Sequence, residues 1–467
     1  MIFKTLKQKE HIRKITCIVN SLILLFFVSF FFPNIYFCPN LPTKGCISTT
    51  EYELNILWNE TYGGEFNEEG KSLIPCSNGG FVIAGSTNSS GAGNYDVLLL
   101  KITHEGSELW NFTIGDTGED KGYQIIPCVA GGYAVVSTYK NTTAIIENND
   151  LLVTRITSNG TIIWNHCFIG PEQNETHFVS DAGRSIVECP NGDLVISGVT
   201  NTNSGGNDLW LLRINSSGQK IWERTYHHRD VDRCYQPHSL LHCSNGGFAI
   251  VGYTHNTTHS NDIWLVRTDN FGVPLWNRTY GDPTNFDRPT GLVECLDKGF
   301  AIIGNTKSIG AGGKDGWLLR TNAFGALLWN KTLGGSEEDG VSYLLSHGDG
   351  FTVIGSTHSF DRGNGDAWII RLAMNKSVVW NVTIGDSYGN NANAAVYLGN
   401  NTYLFTGSTL SKDAPFSQLW VSKIEIITNI LQTPTSESTQ ANSLPVLLFA
   451  ISAMLLFLLQ KKEKIKE

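Results

Sequence analysis

A chain of 467 residues that is 41% apolar and 11% aromatic can bury a large core, and length alone suggests about three domains. With only 16% of residues charged, 48 glycines and 3 methionines, the composition excludes a disordered chain or a long helical one and points to a turn-rich β protein. With the two basic ends set aside, ten Lys/Arg and four acids between them, the middle of the chain carries a net charge of −15; that disfavours nucleic acid and suits cations or basic partners.

Residues 1–38 open with Lys4, Lys7, Lys9, Arg13 and Lys14 and then run apolar to Phe32. This is the charge and hydropathy order of a secretory signal peptide, or of an uncleaved N-terminal anchor, and the sequence leaves both open. A linker, 39–52, follows; Cys38 and Cys46 beside it suit a local disulfide in an exported chain.

From 53 to 425 one sentence recurs. Trp58, Trp110, Trp164, Trp222, Trp276, Trp329 and Trp380 lie 52, 54, 58, 54, 53 and 51 residues apart, and a period near fifty predicts a repeat architecture. Each copy holds four short runs rich in Val, Ile, Leu, Tyr and Trp, bounded by Gly, Asn or Asp, which predict four antiparallel strands. Gly79-Gly80, Gly131-Gly132, Gly246-Gly247 and Asp349-Gly350 mark the first hairpin, and Gly106, Gly160, Gly218, Gly272 and Gly325 the second, with Asn375-Lys376 in the sixth copy.

The chain enters the repeats with a last-strand segment, LNILWNETYG, and leaves with a third-strand segment, SQLWVSKIEI. The two incomplete ends complete one unit, which predicts a closed, all-β, seven-bladed β-propeller of four-stranded blades. A Ser/Thr-rich linker, 426–442, then leads to an apolar run at 443–460, a candidate transmembrane helix, and a basic tail at 461–467. Lys461, Lys462, Lys464 and Lys466 orient the propeller outside.

Asp208-x-Trp210-Leu211-Leu212-Arg213 and Asp315-x-Trp317-Leu318-Leu319-Arg320, with the recurring Gly-x-x-x-Trp-x-x-Thr, resemble the seven-bladed β-propeller repeat family of exported cell-surface proteins. The resemblance implies the fold and display at a surface. It implies little about activity, because propellers host many functions. A likeness to the tryptophan-docking repeats of quinoprotein propellers stops at the absence of an adjacent Cys pair and at the blade count.

Candidate chemistry falls in four groups. Third strands open with Asp96, Asp150, Asp208, Asp262, Asp315 and Asp366 and end in Lys101, Arg155, Arg213, Arg267, Arg320, Arg371 and Lys423; near-perfect repetition favours a structural role. Asp120, Asp181, Asp287 and Asp339 precede first strands on the same face, and these oxygen-rich loops suit a binding face for a partner or a hard cation such as Ca²⁺. Cys76, Cys128, Cys189, Cys243 and Cys295 end five first strands and read as small half-buried positions rather than as a zinc site. His227, His228 and Arg229, followed by His238 and His242, form the one strongly asymmetric patch.

Asn59, Asn111, Asn277, Asn330 and Asn381 each begin an Asn-x-Thr glycan acceptor directly after a blade tryptophan, and eight further acceptors occur. Together these features predict a membrane-anchored extracellular module for recognition, adhesion or scaffolding that binds protein or glycan. The alternative is an exported enzyme or cofactor- or metal-binding propeller, with its site in the axial funnel or at 227–242.

Overall fold

The computed structural model describes residues 50–430, apart from 78, 143–147, 172–180, 203–205, 235, 257, 283, 361–363, 386–387 and 412–413. The segments predicted at 1–38, 443–460 and 461–467, and Cys38 and Cys46, lie outside the described residues. Among those residues no helix is long and apolar enough to cross a membrane.

Strands alone make up the regular structure of the described chain, and they assemble into seven sheets. The first blade is typical: Glu68–Pro75, Phe81–Thr87, Asp96–Ile102 and Glu108–Ile114 pair antiparallel in sequence order from the axis outward. Blades two to six occupy 121–168, 182–226, 231–280, 287–333 and 339–384. The seventh takes Asn390–Gly399, Thr402–Ser411 and Ala414–Ile430 from one end of the repeats and its outermost strand, Thr50–Tyr62, from the other. Its first strand packs beside Glu68–Pro75, so the ring of innermost strands is closed. The protein is a seven-bladed β-propeller.

Second and third strands such as FVIAGST and DVLLLKI are buried along their whole length, because both faces of a blade meet a neighbour. Alternation then decides which neighbour. In the second blade Val135 packs with Val82, Ala84 and Leu99 of the first, while Ala134 and Val136 pack with Ile186, Ile196 and Leu212 of the third. Each such Ile, Leu or Val contributes about 1.5–3 kcal/mol.

The Gly-x-x-x-Trp pattern joins one blade to the next. Trp58 Nε1 donates to His104 O at 3.1 Å and Trp164 Nε1 to Ser216 O at 3.2 Å, both on the last hairpin of the following blade. Tyr226 and Tyr280 hydroxyls donate to the carbonyls of Gly272 and Gly325 on that same hairpin. A Cβ on Gly272, which has φ +75°, would come within 2.9 Å of Arg224 and 3.0 Å of Trp222. In the sixth blade Lys376, at φ 65°, takes the left-handed position, while Asn375 Oδ1 accepts from Ser377 N and Oγ.

Third-strand arginines hold the first hairpin of their own blade, whereas Lys101 Nζ donates to Ser158 O on the last hairpin of the second blade. Arg155 Nη1 donates to Tyr133 O and Ile156 O at 3.0 and 2.8 Å, and Arg371 Nη1 to Phe351 O and Leu372 O at 3.1 and 2.9 Å. In six blades the pairing of the third and fourth strands shifts register directly after the base. The cysteines at the same hairpins are free thiols, and burial pushes those of Cys128 and Cys243 up to about 12, as expected of filler positions.

Replacing Gly272 by Ala should cost roughly 2–4 kcal/mol, since it adds a clash to the left-handed penalty. Gly131→Ala, at φ +85° with nothing within 4 Å of the new Cβ, should cost about 1–2 kcal/mol. Denaturant melts of the two variants check the order; equal losses would mean that the tryptophan contact adds nothing.

Candidate functional site

The four loop aspartates proposed for a binding face are placed inside the protein. Asp120, Asp181 and Asp287 are 0% exposed and Asp339 1%. Asp120 accepts from the backbone of Asp116 (2.9 Å) and Lys140 (2.7 Å), Asp181 from Gly170 (2.7 Å), and Asp287 from Asp282 (3.0 Å) and the Ser308 hydroxyl (2.6 Å). Asp339 accepts from Gly335 N, His358 N, Ser359 N and the hydroxyls of Ser359 and Thr357. Burial works to raise the Asp339 carboxyl, but these donors outweigh it and hold it low; at Asp120 and Asp287 burial wins and the carboxyl is raised. Such residues tie one blade's exit loop to the next blade and present little carboxylate to a partner or to Ca²⁺ in solution.

His227, His228 and Arg229 separate on leaving the third blade. His227 Nδ1 lies 2.8 Å from Asp208 Oδ1 and 3.7 Å from Asp232 Oδ2, and the hydrogen bond it donates to Asp208 raises its pKa above the usual histidine value. His228 stacks on Trp264 at 5.4 Å, and burial there lowers its pKa. Arg229 Nη1 pairs with Asp262 Oδ2 at 2.7 Å. The extra residues behind the 58-residue tryptophan spacing fall between Phe168 and Asp181, not in this segment.

The fourth blade carries the main break in symmetry. Its innermost strand is split into Val231–Arg233 and Leu240–His242, and the residues between bring His238, at φ 63°, into the ring of first strands. There Gln124 Nε2 of the second blade donates to His238 Nδ1 at 3.2 Å, Tyr343 of the sixth packs edge-on at 4.6 Å, and Leu292 N of the fifth donates to the His238 carbonyl. Gln124 Oε1 is itself fixed by Ser185 Oγ and Ile186 N. His238 thus plugs the axial funnel, and burial drives its pKa down to about 4.

On the loop side of this plug is a cavity of about 430 Å³ lined by Lys71, Arg233, Arg288, Lys314, Tyr123, Tyr253, Phe286, Asn305 and small or polar residues. Among the described residues, four cations and no carboxylate line it. Arg288 stacks over Phe286 at 4.2 Å and Tyr253 at 4.6 Å, and the side-chain amides of Asn207 and Asn261 hold the guanidiniums of Arg233 and Arg288. Lys71 and Lys314 lie 3.3 and 3.8 Å from Glu69 and Glu338 at the rim. This pocket was not singled out from sequence. The signal is positional: Lys71 and Tyr123 each stand three residues after a loop acid, and Arg233 and Arg288 each stand one after, a column visible only when the copies are aligned strand by strand.

A second hollow, about 490 Å³, lies between the sixth and seventh blades and includes Tyr52, His347, Arg371, Trp380 and Tyr403. It occurs where the seventh blade, closed by two chain ends, has no last hairpin to receive Trp380.

No protein-family model matches the chain, and no curated protein does. Among solved structures it is similar to a Dyadobacter fermentans protein of unknown function (13% identity, 80% of this chain and 99% of that one, TM-score 0.47). It is likewise similar to the polysaccharide lyase Uly1 (10%, 78% and 91%, 0.49) and to the BP39L lectin of Burkholderia pseudomallei (10%, 78% and 99%, 0.47). Likeness this distant transfers no activity.

The His238 plug predicts a pH dependence. A histidine whose folded pKa is near 4 binds fewer protons folded than unfolded between that value and about 6.5, so its contribution is full above pH 6.5 and drains as pH falls toward 4, by roughly 3 kcal/mol at most. Replacing His238 by Asn, which tolerates positive φ, should flatten this part of the stability curve. An unchanged slope would contradict the assignment.

Proposed function

We propose that the protein is a recognition module, held by its apolar ends at the outer surface of a membrane, whose axial pocket binds a carboxylate-bearing glycan. One observation carries the reading: a funnel pocket with four cations, three aromatic rings and no acid, in a domain whose net charge is negative. Guanidinium and ammonium groups suit carboxylates, and aromatic faces suit the C–H face of a sugar ring. The acidic remainder of the surface discourages indiscriminate anion binding, so selectivity concentrates in the pocket.

Display outside the cell is supported by the predicted topology and by the acceptor positions. Asn59, Asn111, Asn277 and Asn381 are exposed on outermost strands and Asn330 is half-buried there. Glycans at these sites would cover the circumference and leave the funnel mouth open. The enzymatic alternative finds less support, because the lining carries no pair of carboxylates for acid–base work.

Calorimetry of the ectodomain with oligogalacturonate and with a neutral oligosaccharide of equal length tests the proposal. Only the acidic chain should bind, and Arg288→Met or Lys314→Met should weaken it about tenfold or more, the effect of one charge-assisted hydrogen bond. Equal binding of both sugars, or unchanged affinity in both variants, would contradict it.

A further inference from the structure

Where the outer strand of one blade hands over to the next, six of the seven junctions carry glycine: Gly63, Gly115, Gly170, Gly281, Gly334 and Gly385. The seventh, between the third and fourth blades, carries His227. At the glycine junctions there is no room for a side chain. A Cβ on Gly281 would fall 2.6 Å from Asp262 Oδ1 and 2.7 Å from Asp287 Oδ2, and one on Gly115 would meet Asp96 and Asp120. Asp208 and Asp232 are the equivalent pair at the His227 junction, so the imidazole is directed between two carboxylates from adjacent blades.

Both carboxylates are buried, with side chains 3% and 0% exposed, whereas the imidazole is 48% exposed and gives solvent a route in. His227 Nδ1, Asp208 Oδ1 and Asp232 Oδ2 offer three donor atoms within 4.8 Å of one another. Outer contacts already orient them: Thr202 Oγ1 donates to Asp208 Oδ2, and His228 N and Arg229 N donate to Asp232 Oδ2. Thr254, on the second strand of the fourth blade, hydrogen-bonds the Asp232 carboxylate as well.

We propose that Asp208, His227 and Asp232 bind one divalent transition-metal ion of the zinc class, with water in the fourth position. Metal–ligand bonds of about 2.0–2.1 Å set tetrahedral edges near 3.3 Å. The 2.8 Å contact opens by about half an ångström and the 3.7 Å one closes by about as much, which side-chain rotation supplies. With the ion on Nδ1, the proton that Nδ1 gives to Asp208 in the empty site is lost and the imidazole keeps its proton on Nε2. A mixed imidazole and carboxylate set suits zinc better than calcium, whose sites are built from oxygen alone. The ion bridges the third and fourth blades at the first half of the split strand, and because it binds only the assembled pair it stabilises the closed ring.

The test uses the metal alone, on the full ectodomain. Titration at pH 7.5 with Zn²⁺, and with Co²⁺ followed by its visible absorption, should show one ion per chain and a rise in Tm. His227→Gly recreates the junction found in the other six places, so the variant should fold with an unchanged apo Tm and lose the ion. Absence of uptake at pH 7.5, or uptake that survives in His227→Gly, would overturn the proposal.

Discussion

Thr50–Tyr62 pairs with Ala414–Ile430 in the seventh blade, and this pairing of the two ends of the repeat carries the domain. Trp420 Nε1 donates to Asn59 Oδ1 and Ser422 Oγ to Trp58 O, contacts that span more than 360 residues of chain. Without it the third strand of the seventh blade would be an exposed edge, and Trp58 would not reach the last hairpin of the first blade. Every other junction repeats between consecutive blades; this one alone joins the end of the array to its beginning. The hollow beside Trp380 marks the same seam.

Repetition made the fold readable. A tryptophan period near fifty, glycines at hairpin positions and incomplete ends that complement one another report strand count, turn geometry and closure directly, because each is a local requirement of the backbone. The reason for Gly-x-x-x-Trp was not readable, since the glycine serves the tryptophan of the preceding blade, some fifty residues earlier. Side-chain roles were legible only in part. Asp120 and Asp339 read as surface acids because Asp is usually exposed, yet loop N–H groups and hydroxyls enclose them. Lys376, not Asn375, took the left-handed turn position because the asparagine side chain was used to brace the turn instead.

Charge misled in a similar way. A net −15 sums the middle of the chain, buried aspartates included, and suits basic partners, but Lys71, Arg233, Arg288 and Lys314 gather around one pocket and reverse the sign locally. Convergence of these residues from three blades is a property of the ring and has no counterpart in linear sequence. His238 shows the same limit. In sequence it is one member of an asymmetric histidine patch, whereas the split strand of the fourth blade carries it to the axis, against Gln124 and Tyr343. His227 and His228 are adjacent and do point apart, one toward a carboxylate pair and one onto Trp264. The asymmetric patch therefore supplies a blade junction rather than a single histidine cluster.

The account rests on the ring being one cooperative unit closed by the seam. Removing residues 50–63 tests this directly, with thermal unfolding and light scattering as readouts. The account predicts loss of the single transition and association of the truncated protein through the bared edge of Ala414–Ile430. A truncated protein that stayed monomeric and melted at the temperature of the intact domain would contradict it.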